Sequence, residues 1–230
     1  MDLKKTLLIT PTRLELYALS SVVEFSKVVE RNRLPHIVSG IGPGATAMTL
    51  TMIMERQRPE IVILVGIGGC YKDTGVGLED VCLAESEIYG DLGRCTPKGV
   101  EPIEIGNERI PMMFPLKDRW TRFLKPDFFK ILDGIGIKAI PMVTVSCASA
   151  DFERAARLKH RFKAAVENME GAAAAQVCSL YYAPLIELRG ISNYAGDPDK
   201  ARWTTEGALK KTATVLVSIL NYLKILSPGD

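Results

Sequence analysis

The feature that most constrains the fold is the alternation of short apolar runs with longer amphipathic segments along the chain. Short apolar runs bounded by turn residues predict buried strands, whereas apolar residues three and four positions apart predict helices. Strands are predicted at residues 6–10, 36–39, 61–65, 81–86, 138–145, 164–166 and 185–191. Helices are predicted at residues 12–25, 44–56, 117–132, 152–160, 170–181 and 205–226. Strands that alternate with helices indicate an α/β protein with a mainly central sheet.

The chain of 230 residues contains no internal repeat, low-complexity tract or linker-like boundary. A length of this order suits one α/β domain, which buries a sizeable core without disulfides or metal. We therefore predict a single domain over residues 1–230. Residues 90–115 are rich in proline and glycine, which predicts irregular loops with short strands such as 103–105.

The charge balance excludes several classes of partner. Lys and Arg number 29 and Asp and Glu number 27, so the net charge of +2 gives no electrostatic case for binding nucleic acid or a membrane surface. The first apolar run ends at Pro11 and is too short for a signal-peptide core, and no stretch is long enough to span a bilayer. We expect a cytoplasmic protein.

Cysteine and histidine usage limits the chemistry. The five cysteines are odd in number, scattered and without a CxxC pair, so they form neither a disulfide framework nor a zinc site. They are expected to be small buried thiols in a reducing compartment. With only His36 and His160 present, a Ser–His or Cys–His mechanism has little support. No metal or organic cofactor is expected.

The first candidate for chemistry is the segment from Thr12 to Glu15, which follows the first predicted strand. Its S/T-x-x-E spacing is typical of a capping box, in which the glutamate accepts a free backbone N–H. The same side chain can also project into a cleft and act as a general base on water. From this segment alone the capping role is favoured.

Two glycine-rich segments, 39–45 and 65–70, also follow predicted strands. Glycines at such positions allow the backbone to approach a ligand closely, but a structural tight turn is at least as plausible for each segment. Neither segment matches the GxGxxG or Walker pattern. Their occurrence together is more suggestive than either alone, since ligands bind at strand ends in α/β sheets.

The last candidates are Glu170, at the start of a predicted helix, and Asn193, at the end of a strand. Glu170 either interacts favourably with the helix dipole or accepts two hydrogen bonds from a vicinal diol. Asn193 either caps a turn or presents its amide to a ligand.

Together these elements resemble the purine nucleoside phosphorylase/nucleosidase superfamily in order and spacing. The resemblance covers residues 6–225 and is carried by Glu15, the two glycine-rich segments, Asn168-Met169-Glu170-Gly171-Ala172 and residues 189–193. It implies a three-layer α/β/α sandwich with a mixed central sheet. Within the superfamily the chain looks most like the futalosine hydrolases, and next most like the methylthioadenosine/S-adenosylhomocysteine nucleosidases.

The resemblance also implies roles for individual residues. Glu170, with the Met169 backbone, would hold the ribose 2′- and 3′-hydroxyls, Glu15 would activate water, and Asn193 would contact the purine. By the same resemblance, the residues near the sugar are Gly42, Gly66, Ile67 and Gly68, and those near the base are Ala148, Ala150 and Asn168.

Asn193 stands where methylthioadenosine nucleosidases have an aspartate that protonates purine N7. An asparagine amide donates N–H but supplies no dissociable proton, which suits a 6-oxopurine better than adenine. Phosphorylases that act on 6-oxopurines also use asparagine, so this residue does not separate hydrolysis from phosphorolysis. That separation depends on phosphate binding, and residues 39–45 contain no arginine, while Ile67 stands where a hydroxyl residue is expected.

The expected function is therefore hydrolysis of futalosine to hypoxanthine and dehypoxanthine futalosine, in menaquinone biosynthesis. A methylthioadenosine/S-adenosylhomocysteine nucleosidase, a phosphorylase and a non-catalytic nucleoside-binding protein remain as alternatives. Arg13 is open as a surface group or a ligand for a substrate carboxylate. Phe152 is favoured as a core residue, and Trp203 as either a lid or a helix-start aromatic. The resemblance implies a homo-oligomer, and the group bound at the ribose 5′ position stays open.

Overall fold

The computed structural model describes residues 3–96, 99–105, 108–109, 112–124 and 127–225. Its helices are α1 (Arg13–Ser20), α2 (Val23–Asn32), α3 (Pro43–Gln57), α4 (Lys117–Phe123), α5 (Asp127–Gly134), α6 (Phe152–Phe162), α7 (Gly171–Leu180) and α8 (Thr205–Ile225). The first strands are β1 (Thr6–Thr10), β2 (His36–Val38), β3 (Ile61–Cys70), β4 (Val81–Tyr89), β5 (Arg94–Thr96) and β6 (Gly99–Glu101). They are followed by β7 (Glu104–Ile105), β8 (Glu108–Arg109), β9 (Met113–Pro115), β10 (Lys138–Thr144), β11 (Val166–Asn168) and β12 (Leu185–Tyr194).

The main sheet has eight strands in the order β11-β10-β4-β12-β3-β1-β2, with β9 paired to β4. The pairs β1–β2, β1–β3 and β3–β12 are parallel, whereas β12 and β4 are antiparallel. Strand β11 pairs with β10 on one side and, antiparallel, with β3 on the other. This second pairing closes β3, β12, β4, β10 and β11 into a ring.

Helices cover both faces of the sheet. Helix α8 packs on β12, β3 and β4, and α1 and α2 pack against α8, while α7 packs with α3 and contacts β10 and β4. Along β12, Gly190 faces α8 so closely that a Cβ there would lie 2.4 Å from Thr212 Oγ1. The neighbouring Arg189 points to the opposite face, because side chains alternate along a strand. The predicted α/β sandwich with a mixed sheet is confirmed.

Two predicted helices are each divided in two. The prediction at residues 12–25 is wrong because Val22 is extended, with φ −84° and ψ 112°, and separates α1 from α2. The prediction at residues 117–132 is wrong because Leu124, with φ −106° and ψ 140°, ends α4. Residue 226, the predicted end of the last helix, lies outside the described residues. No helix in the described ranges is long and apolar enough to cross a membrane.

The predicted loop over Gly66, Ile67 and Gly68 is wrong, because β3 continues through these residues to Cys70. Strand β12 pairs with β3 along this whole stretch and continues past a bulge between Ile191 and Asn193. Glycine is needed here for packing, since a Cβ on Gly68 would lie 2.8 Å from Val166 Cγ1. The cysteines are also only partly as predicted, because Cys95 and Cys147 are exposed.

Candidate functional site

A cavity of about 490 Å³ lies at the carboxyl ends of β1, β3, β11 and β12. Residues from both ends of the chain meet there, as expected for an α/β sheet. The lining consists of Pro11, Thr12, Leu14, Glu15, Ile41, Ile67, Gly68, Gly69, Ala148, Ser149, Glu167, Asn168, Met169, Glu170, Ser192, Asn193, Ala195, Trp203 and Thr205.

Glu15 is both a helix cap and a cavity residue. Its Oε2 accepts from the Thr12 backbone N at 2.9 Å and from Thr12 Oγ1 at 2.6 Å, which completes the predicted capping box. Its Oε1 accepts from the Ile67 backbone N at 3.0 Å. The side chain is only 4 % exposed, and this burial raises the pKa of the carboxyl above its ordinary value.

Glu170 is held from two sides. Its Oε1 accepts from the Gly42 backbone N at 3.0 Å, and its Oε2 accepts from Arg189 Nη1 at 3.0 Å. A carboxylate oxygen accepts more than one hydrogen bond, so both oxygens retain capacity for hydroxyl donors in the cavity. Gly42 contributes through its backbone N–H at the start of α3.

Arg189 lies beneath the cavity and organises its carboxylates. It is 1 % exposed and donates from Nε to Glu187 Oε1 at 2.8 Å and from Nη1 to the Ile67 carbonyl at 3.2 Å. Gly66 makes room for it, because a Cβ on Gly66 would lie 2.8 Å from both Arg189 Nη1 and Glu15 Oε1. The glycine of β3 therefore lets a guanidinium fit between the two carboxylate sites.

The Asn168 side chain is used inside the protein. Its Oδ1 accepts from the backbone N of Glu170 at 3.0 Å and of Gly171 at 2.8 Å, and its Nδ2 donates to Glu87 Oε1 at 2.6 Å. These bonds fix the turn that carries Glu170 into α7. The side-chain carbonyl oxygen of Asn168 is thereby occupied by donors of the protein itself.

At the other end of the cavity the Asn193 amide has a defined orientation. Its Nδ2 donates to the Tyr194 carbonyl at 3.0 Å, and its Oδ1 accepts from Ser192 Oγ at 2.8 Å. The Tyr194 carbonyl can only accept and therefore selects the amide nitrogen, whose second hydrogen remains available to a ligand.

The cavity brings together most of the predicted site residues. Glu15, Glu170 and Asn193 line it, as do Ile67, Gly68, Ala148, Asn168, Met169 and Trp203. Ala150 and the exposed Arg13 are not among the lining residues. The expectation that Phe152 belongs to the core is wrong, because its ring is 38 % exposed with Lys72 Nζ 3.5 Å from its centroid.

Glu167 is a lining residue that the sequence analysis missed. Its Oε1 accepts from the Ser149 backbone N at 2.7 Å, and its Oε2 accepts from Ser149 Oγ at 2.6 Å and Tyr71 Oη at 3.1 Å. It thereby fixes the loop after β10 at the cavity wall. The sequence analysis placed this strand at residues 164–166, whereas β11 spans Val166–Asn168, so Glu167 lay outside the predicted strand.

The charged side chains that line the cavity are all acidic. Three carboxylates, Glu15, Glu167 and Glu170, line it, whereas no lysine or arginine does among the residues that the structure describes. Within the described ranges no group of three His, Cys, Asp or Glu side chains is arranged to hold a metal ion. The cavity therefore offers several carboxylate acceptors together with the amide donor of Asn193.

Sequence comparison places these features among known proteins. The family model described as the phosphorylase superfamily matches residues 25–221. A futalosine hydrolase from Thermus thermophilus is 33 % identical over 221 residues, which cover 93 % of this chain and 94 % of that protein. A 5′-methylthioadenosine/S-adenosylhomocysteine nucleosidase from Bacillus cytotoxicus is 30 % identical, covering 81 % of this chain and 80 % of that protein.

Solved structures share the fold. A futalosine hydrolase from Helicobacter pylori has a TM-score of 0.74 at 18 % identity and covers 94 % of this chain and 97 % of that chain. A 5′-methylthioadenosine/S-adenosylhomocysteine nucleosidase from Colwellia psychrerythraea, in complex with adenine, has a TM-score of 0.74 at 18 % identity with 95 % of each chain covered. Since the family model matches most of the sequence and the fold agrees, the chain belongs to the phosphorylase superfamily.

Proposed function

We propose that this protein hydrolyses the N-glycosidic bond of futalosine and releases hypoxanthine and dehypoxanthine futalosine, as a step of menaquinone biosynthesis. The observation that carries the proposal is the composition of the cavity wall. It holds Glu15, Glu170 and the Asn193 amide, and no lysine or arginine among the described residues. The 33 % identity to the Thermus thermophilus futalosine hydrolase supports the choice of substrate.

Glu170 would hold the sugar. Gly42 and Arg189 each donate to one of its oxygens and leave both able to accept from the ribose 2′- and 3′-hydroxyls. Cleavage of an N-ribosyl bond passes through a ribosyl centre with positive charge at C1′. A carboxylate that holds the hydroxyls beside this charge stabilises the transition state more than the ground state.

Glu15 would act on the water. One hydrogen of a water molecule goes to its carboxylate as the oxygen bonds to C1′, and the C1′–N9 electron pair leaves with the purine. The purine anion then takes a proton from solvent and Glu15 returns its proton to solvent, so that the net change is the addition of one water. Burial raises the pKa of Glu15, which makes it a stronger base than an exposed glutamate. The Ile67 N–H holds its Oε1 in position.

Asn193 would read the base. The Nδ2 hydrogen that is not bonded to Tyr194 can be donated to purine N7 or to a 6-oxo group. Hypoxanthine carries that 6-oxo group, whereas adenine presents an amino group there. The asparagine therefore favours the hypoxanthine nucleoside over an adenine nucleoside.

Water is the better nucleophile because the cavity does not suit phosphate. A phosphate dianion beside C1′ would lie among carboxylates, with no lysine or arginine in the lining to balance its charge. Arg189 is buried and already paired with Glu170 and Glu187. This observation favours hydrolysis over phosphorolysis.

A second candidate is the methylthioadenosine/S-adenosylhomocysteine nucleosidase reaction, which the 30 % identity to the Bacillus cytotoxicus enzyme supports. Asn193 argues against it, because an amide cannot protonate adenine N7. If the relation is close, Asn193→Asp should gain activity on methylthioadenosine.

The test is base release from futalosine, inosine and methylthioadenosine, each with and without phosphate and separated by chromatography. We expect hypoxanthine from futalosine without phosphate. Adenine from methylthioadenosine with futalosine untouched would establish the second candidate. Strict dependence on phosphate would establish a phosphorylase, and binding of inosine without any base release would indicate a binding protein.

We propose further that the protein is a cytoplasmic homo-oligomer. The free cysteines, two of them exposed, suit a reducing compartment. Exposed apolar side chains support the oligomer: Ile41, Met48 and Met52 before and along α3, and Leu180 and Tyr182 at the end of α7, with which α3 packs.

A further inference from the structure

Two glutamates that the mechanism does not use lie behind Arg189. Glu87 on β4 and Glu187 on β12 are both 0 % exposed. They meet at the first residue of α7, because a Cβ on Gly171 would lie 2.2 Å from Glu87 Oε1 and 2.5 Å from Glu187 Oε1. Burying two carboxyl groups this deeply costs free energy of folding unless each has a hydrogen-bond partner or an opposite charge beside it.

If both glutamates are ionised, one of their buried carboxylate oxygens is left without a hydrogen-bond donor. Glu187 Oε1 accepts from Arg189 Nε, but Glu187 Oε2 is buried and has no N–H or O–H donor among the described residues. On Glu87, Oε1 accepts from Asn168 Nδ2 and Oε2 lies 2.7 Å from Thr144 Oγ1. Two ionised carboxylates only accept, so the contact between the glutamates becomes favourable only if one of them carries a proton.

The balance of charges around Arg189 also requires a proton on one of the two glutamates. Among the described residues Arg189 is the cation that pairs with this group, and it already faces Glu170 and Glu187. An ionised Glu87 would add a third carboxylate to a single guanidinium in a medium of low dielectric constant. With a proton on Glu87, the Arg189 guanidinium faces two carboxylates, Glu187 and the cavity-facing Glu170, instead of three.

We propose that Glu87 is a neutral carboxylic acid in the folded protein, that it donates a hydrogen bond to Glu187, and that this acid–carboxylate pair positions Arg189 and, through it, Glu170. Glu87 and Glu187 are positioning residues, since neither lines the cavity. The inference deepens the proposed function, because Glu170 is the residue assigned to the ribose hydroxyls.

The surroundings of Glu87 support this assignment of the proton. Burial first, and then repulsion by Glu187, raises the pKa of Glu87 well above its ordinary value, while Thr144, Arg189 and Asn168 oppose the rise. The other titratable groups that interact with the pair are Glu170, Tyr71 and Tyr89. The pKa of Glu187 is raised as well, but its direct bond to Arg189 opposes the rise and favours keeping the charge there.

The proton itself can be observed without any substrate. A protonated carboxylic acid has an infrared carbonyl stretch that is separate from the carboxylate bands. We expect the spectrum of the whole protein at pH 7 to contain such a band and Glu87→Gln to remove it, while the exposed-site variant Glu153→Gln keeps it. A wild-type spectrum identical to that of Glu87→Gln in this region would overturn the proposal.

The positioning role is tested by discrimination between ribose and 2′-deoxyribose. Glu187→Gln removes the charge that holds Arg189, so we expect the kcat/KM preference for futalosine over its 2′-deoxyribose analogue to fall roughly tenfold or more. A fall in both activities with the preference unchanged would overturn the role, because general loss of structure affects both substrates alike.

A matched pair at Glu87 completes the test. Glutamine places an N–H donor where the acid carries its O–H, whereas leucine offers none. We expect Glu87→Gln to retain the ribose preference at least about tenfold better than Glu87→Leu. Equal loss in the two variants would overturn the proposal. If neither the wild-type protein nor any variant releases base from futalosine, the proposed function fails, yet the infrared result still decides the protonation of Glu87.

Discussion

At the scale of single residues, Glu15 combines two roles that the sequence analysis treated as alternatives. Its Oε2 closes the capping box of α1, while Oε1 is fixed by the Ile67 N–H at the cavity wall. The capping bonds thus orient the carboxylate that faces the cavity. A general base gains from such fixation, because its orientation need not be selected during the reaction.

Replacing Glu15 by glutamine should abolish turnover and leave binding intact. Glutamine is also accepted in a capping box, so α1 is expected to persist, but the amide takes no proton from water. We expect kcat to fall by about 10²–10⁴-fold with little change in the calorimetric affinity for inosine. The exposed-site variant Glu153→Gln serves as the control. Unchanged turnover in Glu15→Gln would remove Glu15 from the mechanism.

The raised pKa of Glu15 predicts the acid limb of the pH profile. The base must be ionised to work, so activity is present above the pKa of Glu15 and is lost as the pH falls through it. Because burial raises this pKa, the limb in kcat/KM should lie above the ordinary glutamate value of about 4.3. The measurement is initial base release from inosine across the pH range; a limb at or below the ordinary value would contradict the assignment.

Ser192 should matter through Asn193. Its buried hydroxyl donates to Asn193 Oδ1 and so fixes the orientation of the amide, whose Nδ2 donates to the Tyr194 carbonyl. Ser192→Ala removes this donor, and we expect a loss of roughly tenfold in kcat/KM for inosine. The neighbouring Thr204→Ser, which keeps a hydroxyl group, is the control; equal effects of the two changes would argue against an orienting role.

At the scale of elements, the close contact of β3, β12 and α1 depends on Gly66. A Cβ there would meet Arg189 Nη1, Glu15 Oε1 and, at 3.2 Å, Pro11 Cδ. We expect Gly66→Ala to lower activity by more than about tenfold, because both carboxylate sites must shift. Gly77→Ala is the matched control, since a Cβ there meets nothing within 4 Å. Activity equal to that of the control would show that the strand tolerates the shift.

The elements also show what local pattern can and cannot predict. Strand β1 and the start of α3 follow from apolar runs and turn residues. The continuation of β3 through Gly66–Gly69 does not, because glycines indicate a loop locally while β12, distant in sequence, supplies the pairing. Among the site residues, motifs identified Glu15, Glu170 and Asn193, whereas Glu87 and Glu187 belong to no motif. Glu187 is an acid that follows the apolar start of β12, whereas Glu87 lies one residue beyond the predicted strand 81–86 and carried no such signal.

At the scale of the whole molecule, the single domain over residues 1–230 stays a prediction, as does the oligomer. The exposed methionines of α3 give the oligomer a specific test. We expect light scattering to give at least double the chain mass of 25.3 kDa. Met48→Lys places a charge in the apolar surface, and we expect it to lower this mass, while Lys27→Met on α2 leaves it unchanged. A wild-type monomer would contradict the proposed oligomer.

The closed ring of strands has a consequence for how the protein is made. Strand β3 leaves the ribosome early, but the strands that pair with its distal half, β11 and β12, come from the other end of the chain. Until then that glycine-rich half of β3 has no partner strand at the edges that β12 and β11 will occupy. Folding dominated by such distant pairings is slow. The sheet of this protein can therefore be completed only after the chain has been synthesised as far as Tyr194, the end of β12.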